Sequence, residues 1–201
     1  ERRMAKLSVG IIGTGFGAKV HAPAFQTIPG VEVMAIAGQD RRKAALAGQA
    51  LGIPTVHDSW QQLIDDEKVE AVVVAVPPSA HFDVVTAALR AGKHVLCEKP
   101  LDISLERIDT MIAAHAKAGT RLGGIFNYRF TDTVHLLKDA VEKARFGTIT
   151  FASIDVPWWR SNEYYEHKWR GTLALDGGGA MMNQAIHMVD LLQYLMGPMD
   201  S

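Results

Sequence analysis

Cysteine is nearly absent from this chain. The single Cys97 among 201 residues cannot close an internal disulfide, so a stapled secreted scaffold is excluded and a reducing, cytoplasmic setting is the expectation. No apolar run approaches the ~20 residues that a membrane span needs. The opening "ERRMAK" leads directly into an apolar strand pattern, which leaves a signal peptide no room. An excess of one charge is also missing: 21 Lys and Arg stand against 22 Asp and Glu, a net −1 with both signs interspersed. That balance argues against nucleic acid or an anionic membrane as the main partner. No His, Cys, Asp and Glu cluster has metal-ligand spacing, so no metal is expected. Internal repeats and low-complexity tracts are lacking too.

What is present is an ordinary globular composition, 48% hydrophobic and 21% charged. A chain of this length can bury roughly 70% of its unfolded surface without a staple. Up to about residue 126, short apolar runs alternate with helical stretches. "LSVGII", "VEVMAIAG", "AVVVAV", "HVLCEK" and "RLGGIF" are the strands, and "AVVVAV" is apolar at every position, as a parallel strand covered on both faces requires. Ser59 and Gln62 form a capping-box pattern, and Ser79 is expected to cap a helix running to Ala91. The fold class is therefore α/β, a doubly wound parallel sheet, over residues 1–126. Beyond Phe126 the rhythm changes. A helix over about 130–144 and a period-2 strand, "GTITFASIDVPWW", open a second domain over 127–201. One strand makes no stable sheet, so this domain reads as incomplete.

Gly13-Thr14-Gly15-Phe16-Gly17-Ala18 matches G-x-G-x-x-A between a strand and a helix. The first glycine makes the turn, the second admits a pyrophosphate to the backbone, and the small final residue lets helix meet strand. A carboxylate is expected at the end of the second strand to hold the ribose of NAD. Gly38 and Gln39 stand there instead, followed by Asp40, Arg41 and Arg42. Loss of the acid and gain of two arginines lean to NADP, the alternative being that the arginines decorate a solvated helix turn. "CEKPL" sets Glu98, Lys99 and Pro100 at a strand's carboxyl end, where open α/β sheets bind ligands. Lys99 can donate to a substrate oxygen, or else form a surface ion pair. Pro100 is a candidate for a cis peptide. Cys97 reads as a core thiol. Pro77 and His81 follow "AVVVAV" at the same edge, and His81 is either a core or capping imidazole or a cofactor contact.

The last segment, "GGGAMMNQAIHMVDLLQY", is an apolar helix carrying one polar stripe: Asn183, His187, Asp190 and Tyr194. Met181, Met182, Ile186, Met188, Val189, Leu191 and Leu192 cover the rest, so the helix is expected to be buried. A buried polar stripe requires a partner for each group.

Together, "GIIGTGFGAKVHAPAF", "VPPSAHFDVVTAALRAGKHVLCEKPL" and "GGGAMMNQAIHMVDLL" resemble the glucose–fructose oxidoreductase / inositol dehydrogenase / rhizopine-catabolism (Gfo/Idh/MocA) family. The discriminating parts are E-K-P and G-G-x-x-x-[DN]-x-x-x-H-x-x-D. The resemblance implies an NAD(P)-dependent oxidoreductase of a secondary alcohol on a sugar, nucleotide-sugar or cyclitol. It implies an N-terminal Rossmann domain and a C-terminal α+β domain built on an open, mostly antiparallel sheet. That sheet is incomplete here, and pairing through it gives a homo-oligomer. The nucleotide would be held by Gly13, Gly15, Phe16, Gly17, Ala18, Gln39, Arg41, Arg42, Pro77, His81, Glu98 and Lys99. Lys99 and His187 carry over as the catalytic pair. An imidazole titrates near pH 6.5 when unperturbed, which suits movement of a hydroxyl proton. Asn183 stands where many members have Asp and cannot take a proton, so it is expected to orient substrate. Arg129, and Trp158, Arg160 and Tyr165 from the aromatic loop "WWRSNEYYEHKWRGT", complete the candidate substrate contacts, the loop being alternatively a packed corner or subunit contact. Two rivals stay open: a non-catalytic NAD(P)-binding sensor, and reduction of an imine or double bond.

Overall fold

In the computed structural model, which describes residues 6–166 and 169–199, the chain divides into two compact units, Glu1–Gly124 and Ile125–Ser201. His167 and Lys168 of the aromatic loop lie outside the described residues.

The first unit alternates strand and helix throughout. Its strands are β1 (Leu7–Ile12), β2 (Val31–Ala37), β3 (Thr55–His57), β4 (Ala71–Val74), β5 (His94–Cys97) and β6 (Leu122–Gly124). All pair in parallel in the order β3-β2-β1-β4-β5-β6. The order reverses at β1, between β2 and β4, and the crevice at the carboxyl ends there is where such sheets take ligands. Successive residues of a strand face opposite sides, and Ile11 and Ile12, Val72, Val73 and Val74 are all buried, so both faces are covered. This is the Rossmann-like sheet that the apolar runs predicted.

Its helices are α1 (Ala22–Gln26), α2 (Arg41–Leu51), α3 (Trp60–Asp65), α4 (His81–Arg90) and α5 (Leu105–Ala118). A five-residue π-helical turn, Gly17–His21, precedes α1. Asp40 caps α2 by accepting from the Lys43 amide at 3.1 Å. At α3, Ser59 Oγ accepts from the Gln62 amide, and the Gln62 side chain reaches back one residue further than the motif predicts, to the Asp58 amide. Ser79 is not the cap of α4. It lies inside a short 3₁₀ turn, Pro78–Ala80, and α4 begins at His81 with no side-chain cap. The main core cluster joins Ile12, Val72 and Val74 to Val84, Val85, Ala88 and Leu89 of α4 and Met111 of α5.

The second unit holds α6 (Asp132–Glu142), α7 (Asn162–Tyr165), α8 (Leu173–Asp176) and α9 (Ile186–Met196), with a π-helical stretch Met181–Ala185 ahead of α9. Two expectations are corrected here. "GTITFASIDVPWW" forms no strand, because a strand exists only as part of a ladder and the described residues of this unit supply no second one. The Gly177–Tyr194 helix is also not buried nearly all round. Met181 and Val189 are exposed; the elements that pack most on α9 are α6, the Asn127–Phe130 turn and its own π-helical lead-in.

Candidate active site

At the carboxyl edge of the first unit, three glycines of the loop after β1 differ in what demands them. Gly13 has φ +125°, and a β-carbon there would lie 2.2 Å from the Ala75 carbonyl oxygen. At Gly17 a β-carbon would press on Ile11 and Ala75 at 3.0 and 3.2 Å. At Gly15 it would meet nothing within 4 Å. Gly13 and Gly17 are thus required by the protein, whereas Gly15 leaves its backbone bare toward open space, the cradle a pyrophosphate fills. The Gly13 amide itself is committed to Ala37 O at 2.9 Å, which ties the loop to the end of β2.

Glu98 and Lys99 follow β5 on the same edge, and the Lys99–Pro100 peptide is cis. Glu98 is largely buried. One of its carboxylate oxygens accepts from His21 Nε2 at 2.7 Å and the other from the Lys99 amide at 3.1 Å. Burial alone would raise its pKa. The His21 hydrogen bond and charge, with help from Lys99, outweigh that and hold the carboxyl below its usual range. The pair joins the helix that follows the glycine loop to the turn that carries Lys99. His21 was missed from the sequence, and its signal was only its place eight residues after Gly13. Phe16, exposed, lays its ring edge-on to His21 at 5.2 Å.

His81 is fully buried, with Nδ1 2.9 Å from Pro100 O and Nε2 2.9 Å from Val76 O. Burial pushes its pKa down, and the carbonyls and the Glu98 charge pull back without overcoming it. The core-imidazole alternative therefore describes it, and its nitrogens face backbone carbonyls. Pro77 is exposed beside it. Cys97 is buried, and burial followed by the Glu98 and Asp102 charges drives its thiol pKa far up, which makes it an inert core group. Near the end of β2, Gln39, Arg41 and Arg42 are exposed. Arg41 pairs with Asp58, an exposed contact that costs little to exchange.

In the second unit each member of the polar stripe has company. Asn183 donates through Nδ2 to both oxygens of Asp176, at 3.0 and 3.3 Å, and accepts at Oδ1 from Tyr164 OH at 3.1 Å. Asp176 is 1% exposed and also accepts from the Gly171 amide at 2.8 Å. Gln184 donates to Tyr164 OH, and the Arg170 guanidinium stacks 4.3 Å over the Tyr164 ring. An aspartate at 183 would set a second carboxylate about 3 Å from a buried one, so an amide there is what Asp176 requires. His187 sits edge-on to Tyr128 at 5.2 Å and Phe126 at 6.3 Å. Arg129 grips Asp190 through both Nε and Nη2 and lies 5.0 Å over Tyr194. The ion pair raises the arginine's pKa. Arg129, expected as a substrate contact, is here the bidentate partner of Asp190. Trp158 neighbours Tyr128, and Arg160 stacks on Trp158 and Tyr164. Tyr165 stands edge-on to Tyr164. Sequence reasoning missed Asp176, Tyr164 and Tyr128.

No His, Cys, Asp and Glu group among the described residues could hold a metal, and no described helix is long and apolar enough to cross a membrane.

The parallel sheet, its glycine loop and the switch point define a dinucleotide-binding Rossmann fold. The family model "Oxidoreductase family, NAD-binding Rossmann fold" matches residues 7–126, and the "GFO/IDH/MocA C-terminal domain" matches 134–201, so the chain belongs to the Gfo/Idh/MocA oxidoreductases. It is similar to levoglucosan dehydrogenase of Pseudarthrobacter phenanthrenivorans, 32% identical over 96% of this chain and 52% of that one. Over 60% of the chain and 37% of the relative it is 40% identical to a D-xylose 1-dehydrogenase (NADP(+)) of Haloferax volcanii. The structure of the WlbA dehydrogenase of Bordetella pertussis, in complex with NADH and UDP-GlcNAcA, superposes with a TM-score of 0.90 at 35% identity, over 96% of this chain and 56% of that one. The chain spans about half the length of relatives that it matches from end to end.

Proposed function

We propose that the chain is the nucleotide-binding and proton-handling part of an NAD(P)-dependent oxidoreductase acting on a secondary hydroxyl of a sugar, nucleotide-sugar or cyclitol. Residues 1–126 form its dinucleotide domain. Residues 127–201 open a substrate and oligomerisation domain with the open, mostly antiparallel sheet that the family resemblance implies. The observation that carries the reading is the 2.7 Å His21–Glu98 bond, which joins the glycine-loop helix to the Lys99 turn on one sheet edge.

Gly13 to Ala18, Gln39, Arg42 and Pro77 hold the dinucleotide, with Arg41 recruited from Asp58. His81 contributes by fixing the Pro100 carbonyl. Bound NAD(P)+ supplies the hydride acceptor. The Lys99 ammonium donates to the substrate oxygen and stabilises charge as its proton leaves, and the His187 imidazole takes that proton. Asn183 orients substrate from a side chain that Asp176 and Tyr164 fix. Trp158, Arg160 and Tyr165 supply aromatic and cationic contacts suited to a sugar ring and its polar substituents. The absence of an acid at Gly38, with Arg41 and Arg42 close in sequence, favours NADP over NAD. The names of two relatives, a levoglucosan dehydrogenase and a D-xylose 1-dehydrogenase, and the UDP-GlcNAcA bound in the Bordetella structure support the substrate class.

A panel of sugars, cyclitols and nucleotide-sugars with either cofactor, read by absorbance of the reduced nicotinamide, tests this. Lys99→Ala and His187→Ala should each lower turnover by about 10²–10⁴-fold while the dinucleotide Kd stays within about threefold. Near-normal turnover in both ends the mechanism. Dinucleotide binding without turnover across the whole panel supports a sensor instead.

A further inference from the structure

We propose that Thr14 and Gly38 form a steric pair that keeps a ribose-binding acid out of the nucleotide site, so that Thr14, in the glycine loop, sets cofactor preference jointly with position 38. The inference rests on the dinucleotide reading above and deepens it.

Gly38 follows β2 at the position where a carboxylate would hold an unphosphorylated ribose. Its backbone gives glycine no reason to be there, because Gly38 is not among the residues with positive φ. The reason is a neighbour. A β-carbon at 38 would lie 2.5 Å from Thr14 Cγ2, with Thr14 Oγ1 at 3.3 Å and Cβ at 3.5 Å. A non-bonded carbon pair needs about 3.5–4.0 Å. The loop cannot simply withdraw. Gly13, the residue before Thr14, donates to Ala37 O at 2.9 Å on one side and lies against the Ala75 carbonyl on the other. Relief has to come from the threonine side chain, whose branched β-carbon leaves few rotamers. The missing β-carbon of Gly38 thus points at the glycine loop, the direction an acid takes to reach a ribose, and the Thr14 methyl occupies that path. Substituting the acid alone therefore cannot recover recognition of the unphosphorylated ribose.

The test uses the full chain, titrated with NAD+ and NADP+, and a thermal melt for each variant. Gly38→Ala should lower Tm by several degrees, and Thr14→Ser, which removes only the methyl, should restore most of that loss in the double variant. Gly38→Asp should weaken NADP+ by about tenfold or more through repulsion of the 2′-phosphate without tightening NAD+. Adding Thr14→Ser to Gly38→Asp should tighten NAD+ by about tenfold relative to Gly38→Asp. Thr14→Val keeps the branched methyl and should give no such gain. The proposal is overturned if Gly38→Ala leaves Tm unchanged, if Gly38→Asp alone tightens NAD+, or if Thr14→Val rescues as well as Thr14→Ser. A wild-type chain that binds neither dinucleotide instead removes the functional reading, and the melts still report the contact separately.

Discussion

The two units of this chain are ordered by different physics. In Glu1–Gly124 the sheet and its helices bury Val, Ile, Leu, Ala and Met side chains on both faces, and the polar groups at the carboxyl edge rest on that base. In Ile125–Ser201, Val134 and Leu195 are the buried apolar side chains among the described residues, while Phe151, Trp159 and Leu173 are about four-fifths exposed or more. What fixes geometry there is directional: the Asp176 carboxylate with Asn183, Gly171 and Tyr164, and Arg129 on Asp190. Hydrophobic burial is proportional to area and indifferent to direction, so it makes a firm platform. Satisfied polar networks set positions and are costly when broken. The first unit is thus held by area, and the second by direction.

The largest expected effect follows from that contrast. Leu89→Ala, in the main core of the first unit, should cost about 3 kcal/mol in urea unfolding, whereas Phe151→Ala in the second should cost less than about 0.5 kcal/mol. Equal losses would abolish the distinction between the units. Next comes Asn183→Asp, which puts an unpaired carboxylate beside buried Asp176. A loss of about 2 kcal/mol is expected, with more than half recovered by the reciprocal swap Asp176→Asn/Asn183→Asp, because one amide and one carboxylate are then restored. Thermal melts with near-ultraviolet dichroism would read both variants. An Asn183→Asp protein as stable as wild type would show that the network does not order this unit.

The same contrast explains what could be read from sequence. β1, β2, β4 and β5 were legible because strands covered on both faces carry an apolar run that needs no partner to be recognised. β6, three residues long, was legible in the apolar run "RLGGIF", whereas β3, equally short, sits in "IPTVHDSW" with no such run around it. "GTITFASIDVPWW" has the alternation of a strand and forms none, since pairing is a property of two segments and alternation of one. Gly13, Lys99, Asn183 and His187 could be named because their motifs are local. His21 could not, for its partner Glu98 is 77 residues away. Asp176 was hidden for another reason. An acid before three glycines looks like a solvated turn until its burial is known. Gly38 was read as a missing acid, and only the position of the Thr14 methyl shows why it is missing.

Glu98 tests whether a polar bond on the firm unit behaves differently from one in the second. Glu98→Gln removes a carboxylate that His21 and the Lys99 amide hold ionised, and about 1 kcal/mol should be lost at neutral pH. The folded pKa is depressed below the ordinary value of 4.5. The carboxylate's contribution is therefore fully present above about pH 4.5 and fades as pH falls through the folded value. Melts of wild type and Glu98→Gln should run apart at neutral pH and converge in acid. A gap that widens on acidification would reverse the sign and remove the stabilising role of the ionised carboxylate.

The smallest effect is expected at Asp139, and it sharpens the comparison most. Asp139 belongs to the second unit and meets Lys143 and Arg145, and its carboxyl is held low first by the Lys143 hydrogen bond and then by both charges. By chemistry it resembles Asp176 or Asp190. By solvent exposure it does not, because water and salt screen each of these charges and the side chains lose freedom in pairing. Asp139→Asn should shift Tm by less than about 1 °C, and less again at high salt. If it instead matched Asn183→Asp, polar contact as such would order the second unit. A negligible shift assigns that role to the buried carboxylate and the amide beside it, which are the groups that lead the chain into His187.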